Sequence, residues 1–506
     1  MKIIPKPENI TMLEGDFIFS GSTQLVGLDD FLMNDIKSFI DLKNGDVNSC
    51  TFALSKIEGD YRIEIGENIY VLANNREGIY HAIQTLKLLI LEYYKNEYSY
   101  IPCCIIEDNY KYEYRGFMLD VCRHFYSIST LKKIINSIAL FKMNKLHLHL
   151  SDDQGFRIQL NRFPLLTDIG SKRKGTRGDG VPVNGYYTQS EIIDLVKYAK
   201  DRYIEIIPEM DIPGHTSALI ASYPDLHCKG KEIEVEEYFG IIENVVCAGK
   251  ESTYKMLEDI IGEIANLFPS KYFHIGGDEA PKTQWMKCED CKETMEKNGL
   301  KTFMELQAYF TNRIITYLKS VNKVPIVWNE AYHNGMLDKS ANIQFWADGN
   351  KQKIIKDALK EGHPLIYSNN KFCYLDHPYS SLSLKKTIKA QSEIESLSRY
   401  GNILGIESPL WTEWIKDEKQ LFKMMYPRTL AIADIAWTNT SIEYKDFKNR
   451  TNNCLNALYV LDVEGSTLSK SNPNAISAMF ENAYFYGRMI DKNLFKTIKN
   501  YKNIKK

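Results

Sequence analysis

The chain has 506 residues, of which 44% are hydrophobic and 25% are charged. This length allows a large apolar core and exceeds that of one typical domain. The formal net charge of -2 argues against the strongly basic surface of a nucleic-acid-binding protein. No uninterrupted apolar stretch approaches the ~20 residues that a membrane-spanning helix needs. We therefore expect neither a nucleic-acid partner nor a membrane partner.

The amino terminus and the cysteines predict a cytoplasmic protein. Pro5 and Pro7 stand where a secretory signal needs an apolar run. The 10 cysteines lack the dense, regular spacing of a disulfide framework, so we expect them to be reduced. Cys288 and Cys291 have the spacing of a metal-binding pair, but no second cysteine or histidine pair lies close by in the sequence. This favours ordinary thiols, and we expect no metal and no cofactor.

Residues 1–108 alternate short strand-like runs with helical ones. The strand-like runs are FIFSG, DYRIEIG and NIYVLA, and the helical ones are DDFLMNDIKSFIDL and GIYHAIQTLKLLILEYY. Such a mixture is typical of a small α/β domain. We place the end of this amino-terminal domain at residue 108.

From residue 109 to residue 445, short apolar runs alternate with amphipathic segments of helical length. The runs are RGFMLDV, KLHLHLS, YIEIIPEMD, YFHIGGD, PIVWNE, NIQFWAD, PLIYSNN and ILGIESPLW. Eight β–α repeats predict a (β/α)8 TIM barrel, and hence an α/β fold. A doubly wound open sheet is the alternative, but the count of eight and the lack of a GxGxxG motif after the first strand argue against it. In residues 446–506, apolar residues at helical spacing predict a helical extension packed on the barrel.

Polar and aromatic residues stand at the predicted carboxyl ends of these eight strands, where TIM barrels carry their chemistry. Grouping so many polar side chains costs stability unless they serve a ligand. The sequence therefore predicts a binding site at this end of the barrel. The candidates are Asp120, Arg123, His124, His147, His149, Asp152, Asp153, Glu209, Asp211, His215, Asp278, Glu279, Trp328, Asn329, Glu330, Trp346, Asp348, Tyr374, Asp376, Trp411 and Glu413.

The segment GGDE contains the strongest catalytic candidates, Asp278 and Glu279. Its two glycines let the backbone turn tightly after an apolar strand. Paired carboxylates raise one another's pKa, as a general acid requires. We expect His215 to join a proton network with Asp152 and Glu279.

The other histidines and the tryptophans have two interpretations each. His147 and His149 share one face of a strand, which fits either a metal pair or a structural barrel interior, and the structural interpretation is favoured. Any one of Trp328, Trp346 and Trp411 could belong to the core. Three tryptophans at strand ends favour a pocket whose aromatic faces contact a sugar or a methyl group.

Five segments together resemble the β-N-acetylhexosaminidases of glycoside hydrolase family 20. They are RGFMLDVCRHFYS, KMNKLHLHLSDDQGFRIQL, GYYTQSEIIDLVKYAKDRYIEIIPEMDIPGHTSA, FHIGGDEAP and GIESPLWTEW. The resemblance covers roughly residues 110–440, and NNREGIYHAIQTLKLLI is similar to the small domain that often precedes this barrel. It implies a hydrolase that removes terminal, non-reducing β-linked GlcNAc or GalNAc from a small oligosaccharide or glycoconjugate.

The resemblance also implies that the substrate's own 2-acetamido group is the nucleophile. It would form an oxazolinium intermediate, and the anomeric configuration would be retained. Glu279 would be the general acid and base. Asp278 would accept from the acetamido N–H and stabilise positive charge, while Tyr374 would donate to the acetamido oxygen. Asp152 and His215 would tune Glu279.

Further implied roles concern the sugar ring. The three tryptophans would enclose the acetamido methyl group. Arg123 would bind the 3- and 4-hydroxyls. Glu413 would accept from the 4-hydroxyl and, together with Asp376, from the 6-hydroxyl.

Two departures from the family pattern leave the substrate preference open. Phe156 stands where the family more often has tryptophan, and the segment after Tyr374 offers no recognisable aromatic platform for the leaving sugar. The alternatives are release of a disaccharide, preference for one 4-epimer, or sugar binding without catalysis. A metal-dependent barrel hydrolase using His147, His149 and an acid is a further alternative.

Overall fold

The computed structural model describes residues 1–333, 335–347, 352–489 and 494–504. Its strands are β1 Asn9–Phe19, β2 Gln24–Val26, β3 Ser49–Leu54, β4 Tyr61–Ile65, β5 Ile69–Ala73, β6 Tyr94–Lys95, β7 Tyr98–Asp108, β8 Tyr114–Asp120, β9 Lys145–His149, β10 Ser151–Asp152, β11 Gly155–Phe156, β12 Lys172–Arg173, β13 Val183–Asn184, β14 Glu205–Glu209, β15 Tyr272–His274, β16 Val324–Trp328, β17 Asn342–Phe345, β18 Leu365–Tyr367 and β19 Ile403–Leu410.

The helices are α1 Asp30–Lys37, α2 Arg76–Glu92, α3 Ile128–Leu140, α4 Leu165–Asp168, α5 Gln189–Lys200, α6 Ser217–Ser222, α7 Glu251–Leu267, α8 Glu289–Lys297, α9 Phe303–Ser320, α10 Lys353–Lys360, α11 Leu384–Thr387, α12 Ala390–Leu397, α13 Glu418–Met425, α14 Arg428–Trp437, α15 Tyr444–Val460, α16 Ala475–Met489 and α17 Leu494–Tyr501. Among the described residues, no helix is long and apolar enough to cross a membrane.

The amino-terminal layer is a single mixed sheet with strand order β1-β7-β4-β5-β3-β2, and β6 pairs with β7. Helix α2 begins where the Asn75 side chain accepts from the backbone N–H of Gly78. This helix contacts β3, β4, β5 and β7 of the sheet and also helices α3 and α15. It is therefore covered on nearly every side, and residues 78–90 are all buried.

Eight parallel strands close into a barrel in the order β14-β15-β16-β17-β18-β19-β8-β9. The ring closes between β19 and β8, where Gly405–Leu410 pairs in register with Tyr114–Leu119. A Cβ atom at Gly405 would lie 1.8 Å from the carbonyl oxygen of Tyr114, so only glycine permits this approach. The predicted fold, a TIM barrel preceded by a small α/β domain, is confirmed.

A buried polar cluster joins the amino-terminal sheet to the barrel. Asp108, at the end of β7, lies 3.0 Å from the Lys142 ammonium group and accepts from the Trp437 indole N–H at 2.9 Å. Lys142 also donates to the Tyr61 hydroxyl at 2.6 Å and lies over the Trp437 ring at 4.5 Å. All four side chains are buried. Each buried charge thus has a partner, which is the condition for burying it at acceptable cost.

The carboxyl-terminal helices contact both the barrel and the amino-terminal layer. In α15, Arg450 pairs with Asp434 of α14 at 2.7 Å. Asn453 of the same helix donates to the carbonyl of Leu88 in α2 at 3.4 Å, so α15 also contacts the amino-terminal layer. Beyond α16, Asn500 in α17 donates to the carbonyl of Ile241 at 2.8 Å.

We expect Lys142→Met to lower the free energy of unfolding by about 3–5 kcal/mol, because buried Asp108 loses its counter-charge while the aliphatic stem is kept. Urea denaturation measures this change. Lys43→Met is the matched control, since Lys43 pairs with Glu97 at an exposed position, and it should change stability by less than about 1 kcal/mol. Similar losses for both variants would contradict the role given to the buried cluster.

Candidate active site

A pocket of about 230 Å³ opens at the carboxyl ends of the barrel strands. Of the 11 residues to which the sequence analysis gave a catalytic or substrate-binding role, all except Trp328 line it. Sequence reasoning missed Asn370 and His377, although His377 directly follows Asp376. The lining residues are Arg123, Asp152, Asp211, His215, Asp278, Glu279, Trp346, Asn370, Tyr374, Asp376, His377, Trp411 and Glu413. Asp348 lies outside the described residues.

A larger cavity, of about 850 Å³, lies at the other end of the barrel. Its lining includes Lys145 and Glu205, the first residues of β9 and β14, together with Arg76 of the amino-terminal layer. Lys145 and Glu205 pair with each other at 2.6 Å. Barrel enzymes place their chemistry at the carboxyl ends of the strands. The smaller pocket is therefore the candidate active site.

The GGDE turn holds its two acids in an unusual backbone conformation. Gly276 has a φ of +62°, and a Cβ atom there would lie 1.6 Å from a carboxylate oxygen of Asp211. The same carboxylate accepts from the N–H of Gly277 at 3.0 Å. Glu279 itself has a φ of +47°, and its N–H donates to the Glu330 carboxylate at 2.8 Å. Neighbouring carboxylates thus stabilise a strained turn that aims both acids into the pocket.

Asp278 and Glu279 both face one imidazole. The Nε2 atom of His215 lies 3.9 Å from Asp278 and 3.7 Å from Glu279. Burial raises the pKa of Asp278 to about 6; the nearby His215 opposes this shift and the charge of Glu279 adds to it. The side chain of Asp278 is 11% exposed and that of Glu279 is 25% exposed, so Glu279 lies nearer the mouth of the pocket.

His215 connects these acids to a second pair of carboxylates. Its Nδ1 atom lies 3.4 Å from both Asp152 and Asp153. Burial alone would lower the pKa of His215, but the charge of Asp152 and the contacts with Asp153 and Glu279 hold that pKa well above its ordinary value. The two groups of acids around this imidazole thus favour its protonated form.

Arg123 is fixed on three sides at one wall of the pocket. Its guanidinium lies 2.8 Å from Asp152 and 3.3 Å from Asp120, and its Nε atom donates to the side-chain oxygen of Gln154 at 2.8 Å. It also lies over the Trp411 ring at 5.1 Å. These contacts hold the guanidinium plane in one orientation, as required for recognising neighbouring hydroxyl groups.

Asp376 and Glu413 place two further carboxyl groups on the lining. Burial raises the pKa of each to about 7, although Arg123 lowers that of Glu413 in part. Among the described residues, the Oδ1 atom of Asp376 has no hydrogen-bond partner. Buried polar atoms normally have partners, so this oxygen is an available acceptor for a polar ligand.

Aromatic rings form a further wall. Tyr374 stacks with Trp346 at 6.1 Å between centroids and lies 6.3 Å from Trp411. A phenolic hydroxyl can donate one hydrogen bond, so Tyr374 offers a donor to an acceptor atom of a ligand in the pocket. Within the described part of the chain, the Trp346 indole N–H has no partner.

Trp328 does not line the pocket. It is fully buried, and its indole N–H donates to Glu209 at 2.8 Å. Its ring centroid lies 5.9 Å from that of Trp411, so it stands behind the aromatic wall and supports it.

The strand histidines form ion pairs in the barrel interior. His147 lies 3.0 Å from Glu407 and 3.1 Å from Glu209. His149 lies 2.6 Å from Glu209 and 2.8 Å from Asp152. Burial opposes the charge of His147, but the two glutamates raise its pKa to about 9. This arrangement joins the barrel core to Asp152 in the pocket.

Two further cysteines join the CxxC pair in space, although they lie far from it in the sequence. Cys228 and Cys247 lie beside Cys288 and Cys291, and the four sulfur atoms are all within 4.8 Å of one another. Neither of the first two belongs to a CxxC pair, so no local spacing could have identified them. These four side chains could hold a metal ion, and they lie outside the pocket lining.

Two family models match the chain. "Glycosyl hydrolase family 20, catalytic domain" matches residues 112–440, and "Glycosyl hydrolase family 20, domain 2" matches residues 1–109. A β-hexosaminidase of Porphyromonas gingivalis is 36% identical over 416 residues, which are 78% of this chain and 52% of that protein. The chain thus spans about half the length of this relative.

Other relatives are matched over more of their length. A β-hexosaminidase of Akkermansia muciniphila is 31% identical over 404 residues, covering 77% of this chain and 82% of that protein. The crystal structure of an exo β-N-acetylglucosaminidase from Vibrio harveyi, in complex with N-acetylglucosamine, has a TM-score of 0.81 at 28% identity. That comparison covers 93% of this chain and 79% of the other.

Proposed function

The chain belongs to glycosyl hydrolase family 20, and on that basis we propose that it removes terminal, non-reducing β-linked N-acetylhexosamine residues with retention of configuration. The observation that carries this proposal is a small pocket with two adjacent acids, Asp278 and Glu279, that contact the same imidazole. A volume of about 230 Å³ lies below the ~300–1,000 Å³ typical of drug-sized ligands. Such a pocket suits one terminal sugar ring.

The proposed nucleophile is the substrate's own acetamido oxygen. In retaining glycosidases that use a protein nucleophile, two carboxyl groups stand on opposite sides of the scissile bond, ~5–5.5 Å apart. Here both acids approach the same Nε2 atom of His215. Both acids would assist the substrate's acetamido group, which would attack the anomeric carbon to give an oxazolinium intermediate. Two successive inversions then retain the configuration.

Glu279 is proposed as the general acid and then the general base. Its side chain is more exposed than that of Asp278, which suits a group that protonates the departing oxygen and then activates incoming water. Asp152 fixes the charged His215, and His215 in turn orients Glu279. Asp152 and His215 are thus positioning residues for the acid.

Asp278, Tyr374 and the aromatic wall are proposed to hold the acetamido group for attack. Asp278 lies deeper and would accept from the acetamido N–H, where its negative charge stabilises the oxazolinium cation. The Tyr374 hydroxyl would donate a hydrogen bond to the acetamido oxygen. Trp346 and Trp411 would contact the methyl group. Intramolecular attack from a well-held geometry can reach effective molarities of about 10⁵ M or more.

We propose Arg123, Glu413 and Asp376 as the partners of the ring hydroxyls. The guanidinium of Arg123 offers donors in a fixed orientation to the 3- and 4-hydroxyls. Glu413 would accept from the 4-hydroxyl and, with Asp376, from the 6-hydroxyl. The available Oδ1 atom of Asp376 supports this assignment.

The direct test compares hydrolysis of the p-nitrophenyl β-glycosides of GlcNAc, GalNAc and glucose by the wild type and by Glu279→Gln. We expect turnover of the acetamido sugars and none of the glucoside, because glucose lacks the nucleophile. A methyl β-glycoside of GlcNAc is included as a substrate with a poor leaving group. Glu279→Gln should lose far more activity on it than on the p-nitrophenyl glycoside, which needs little acid assistance.

Glu289→Gln is the matched control, since its side chain is 78% exposed on the surface, and it should behave as the wild type. Equal turnover of glucoside and acetamido sugars would refute participation of the acetamido group. Failure to hydrolyse either acetamido sugar would refute the proposed activity.

We also expect kcat/KM for hydrolysis to fall as the pH drops through about 6. Asp278 is needed as a carboxylate, and burial raises its pKa to about 6. Protonation below that pH therefore removes the charge that stabilises the cation. The pH dependence of kcat/KM measures this ionisation in the free enzyme. Glu413→Gln is the control, because burial raises the pKa of the Glu413 carboxyl to about 7. The fall in kcat/KM at acidic pH should persist in this variant, and loss of that fall would contradict its assignment to Asp278.

A further inference from the structure

We propose that Cys228, Cys247, Cys288 and Cys291 bind one structural Zn²⁺ ion through four thiolates. We call these residues the cysteine cluster. They come from two long segments: Cys228 and Cys247 lie between α6 and α7, and Cys288 and Cys291 lie at the start of α8. The inference does not depend on the proposed hydrolysis, because it concerns residues outside the pocket.

The spacing of the sulfur atoms fits a single tetrahedral ion. The Sγ atom of Cys247 lies 3.8 Å from the Sγ atoms of both Cys288 and Cys291. Zinc–sulfur bonds are about 2.3 Å long, and a regular tetrahedron with such bonds has sulfur–sulfur edges of about 3.8 Å. All four sulfur atoms lie within 4.8 Å of one another. The cluster therefore approaches tetrahedral coordination without rearrangement of the chain.

Burial makes the cluster hard to explain as ordinary packing. Cys247 and Cys291 are fully buried, and Cys228 and Cys288 are 8% and 5% exposed. A buried thiol that serves only as a small apolar group has no need of other sulfur atoms around it. Four thiols converging on one point are the ligand set of a structural zinc site.

Backbone groups around the cluster suit thiolates rather than thiols. Cys288 is the N-cap of the nine-residue helix α8, and Cys291 lies in its first turn. Both sulfur atoms therefore lie at the positive end of a helix dipole. Such outer contacts orient metal ligands and offset their negative charge.

The site would join the two segments that carry the catalytic candidates. The segment with Cys228 and Cys247 follows His215, and His227 pairs with Val246 in an isolated bridge. The segment with Cys288 and Cys291 follows Glu279, and its Trp285 donates to the carbonyl of Val246 at 2.9 Å. Zinc bound here would link both segments and limit their movement.

Four protein ligands leave no open coordination position, so the ion would stabilise the fold and take no part in the reaction. Binding converts four thiols to thiolates, forms four zinc–sulfur bonds and releases four protons to solvent, with no change of oxidation state. This distinguishes the cluster from a metal-dependent hydrolase built on the strand histidines.

Elemental analysis of the full chain, purified under reducing conditions without chelator, tests the proposal. We expect one zinc per chain in the wild type. Cys247→Ala and Cys288→Ala should lose that zinc. Cys454→Ala is the matched control, because Cys454 is equally buried but lies in α15, and it should keep the full zinc content.

A second measurement uses only the wild type, so it does not depend on folding of the alanine variants. Zinc is exchanged for Co²⁺, which gives strong visible absorption in a tetrahedral thiolate site. Appearance of these bands with one cobalt per chain supports the proposal. The proposal is overturned if the wild type contains no zinc and takes up none, or if iron occupies the site. It is also overturned if Cys454→Ala loses zinc as the cluster variants do, or if mass analysis shows a disulfide within the cluster.

Discussion

A chain of buried ion pairs runs from the barrel core to the pocket, and the geometry of the site depends on it. Glu209 pairs with His149, His149 with Asp152, and Asp152 with both Arg123 and His215. Charges buried this deeply are tolerated only when each has a partner in good geometry. The position of each side chain is therefore set by the next one. His215 ends the chain against Asp278 and Glu279, so the barrel interior determines where these acids stand.

The turn that carries the two acids is held from both sides by carboxylates. Asp211 fills the space that a side chain at Gly276 would need, and Glu330 binds the backbone of Glu279. Strain at a left-handed residue persists only where its surroundings enforce it. The cysteine cluster would add a further restraint, because it lies on the same segment as this turn and on the segment that carries His215. The pocket is thus stabilised from the barrel core, and zinc in the cluster would stabilise it from outside as well.

Much of this arrangement follows from local sequence pattern. Eight apolar runs of strand length predicted the barrel, and the rule that barrel chemistry lies at the carboxyl ends of strands placed Asp278, Tyr374 and Glu413 in one pocket. Trp328 was assigned to the pocket because it ends a strand, but its ring turns toward Glu209 in the core, a direction that only side-chain packing decides. Long-range contacts likewise could not be predicted from the sequence, because nothing in the spacing of Cys228 and Cys247 shows that they contact α8.

The most direct test of the central claim is the effect of fluorine on the acetamido group. Successive fluorination of its methyl group makes the carbonyl oxygen a poorer nucleophile while changing the size of the sugar little. Rates should be measured with the p-nitrophenyl β-glycosides of N-acetyl-, N-fluoroacetyl-, N-difluoroacetyl- and N-trifluoroacetylglucosamine. If the substrate supplies the nucleophile, kcat should fall steeply with each added fluorine. A kcat that stays level across the series would contradict the account and would require a nucleophile from the protein or from water.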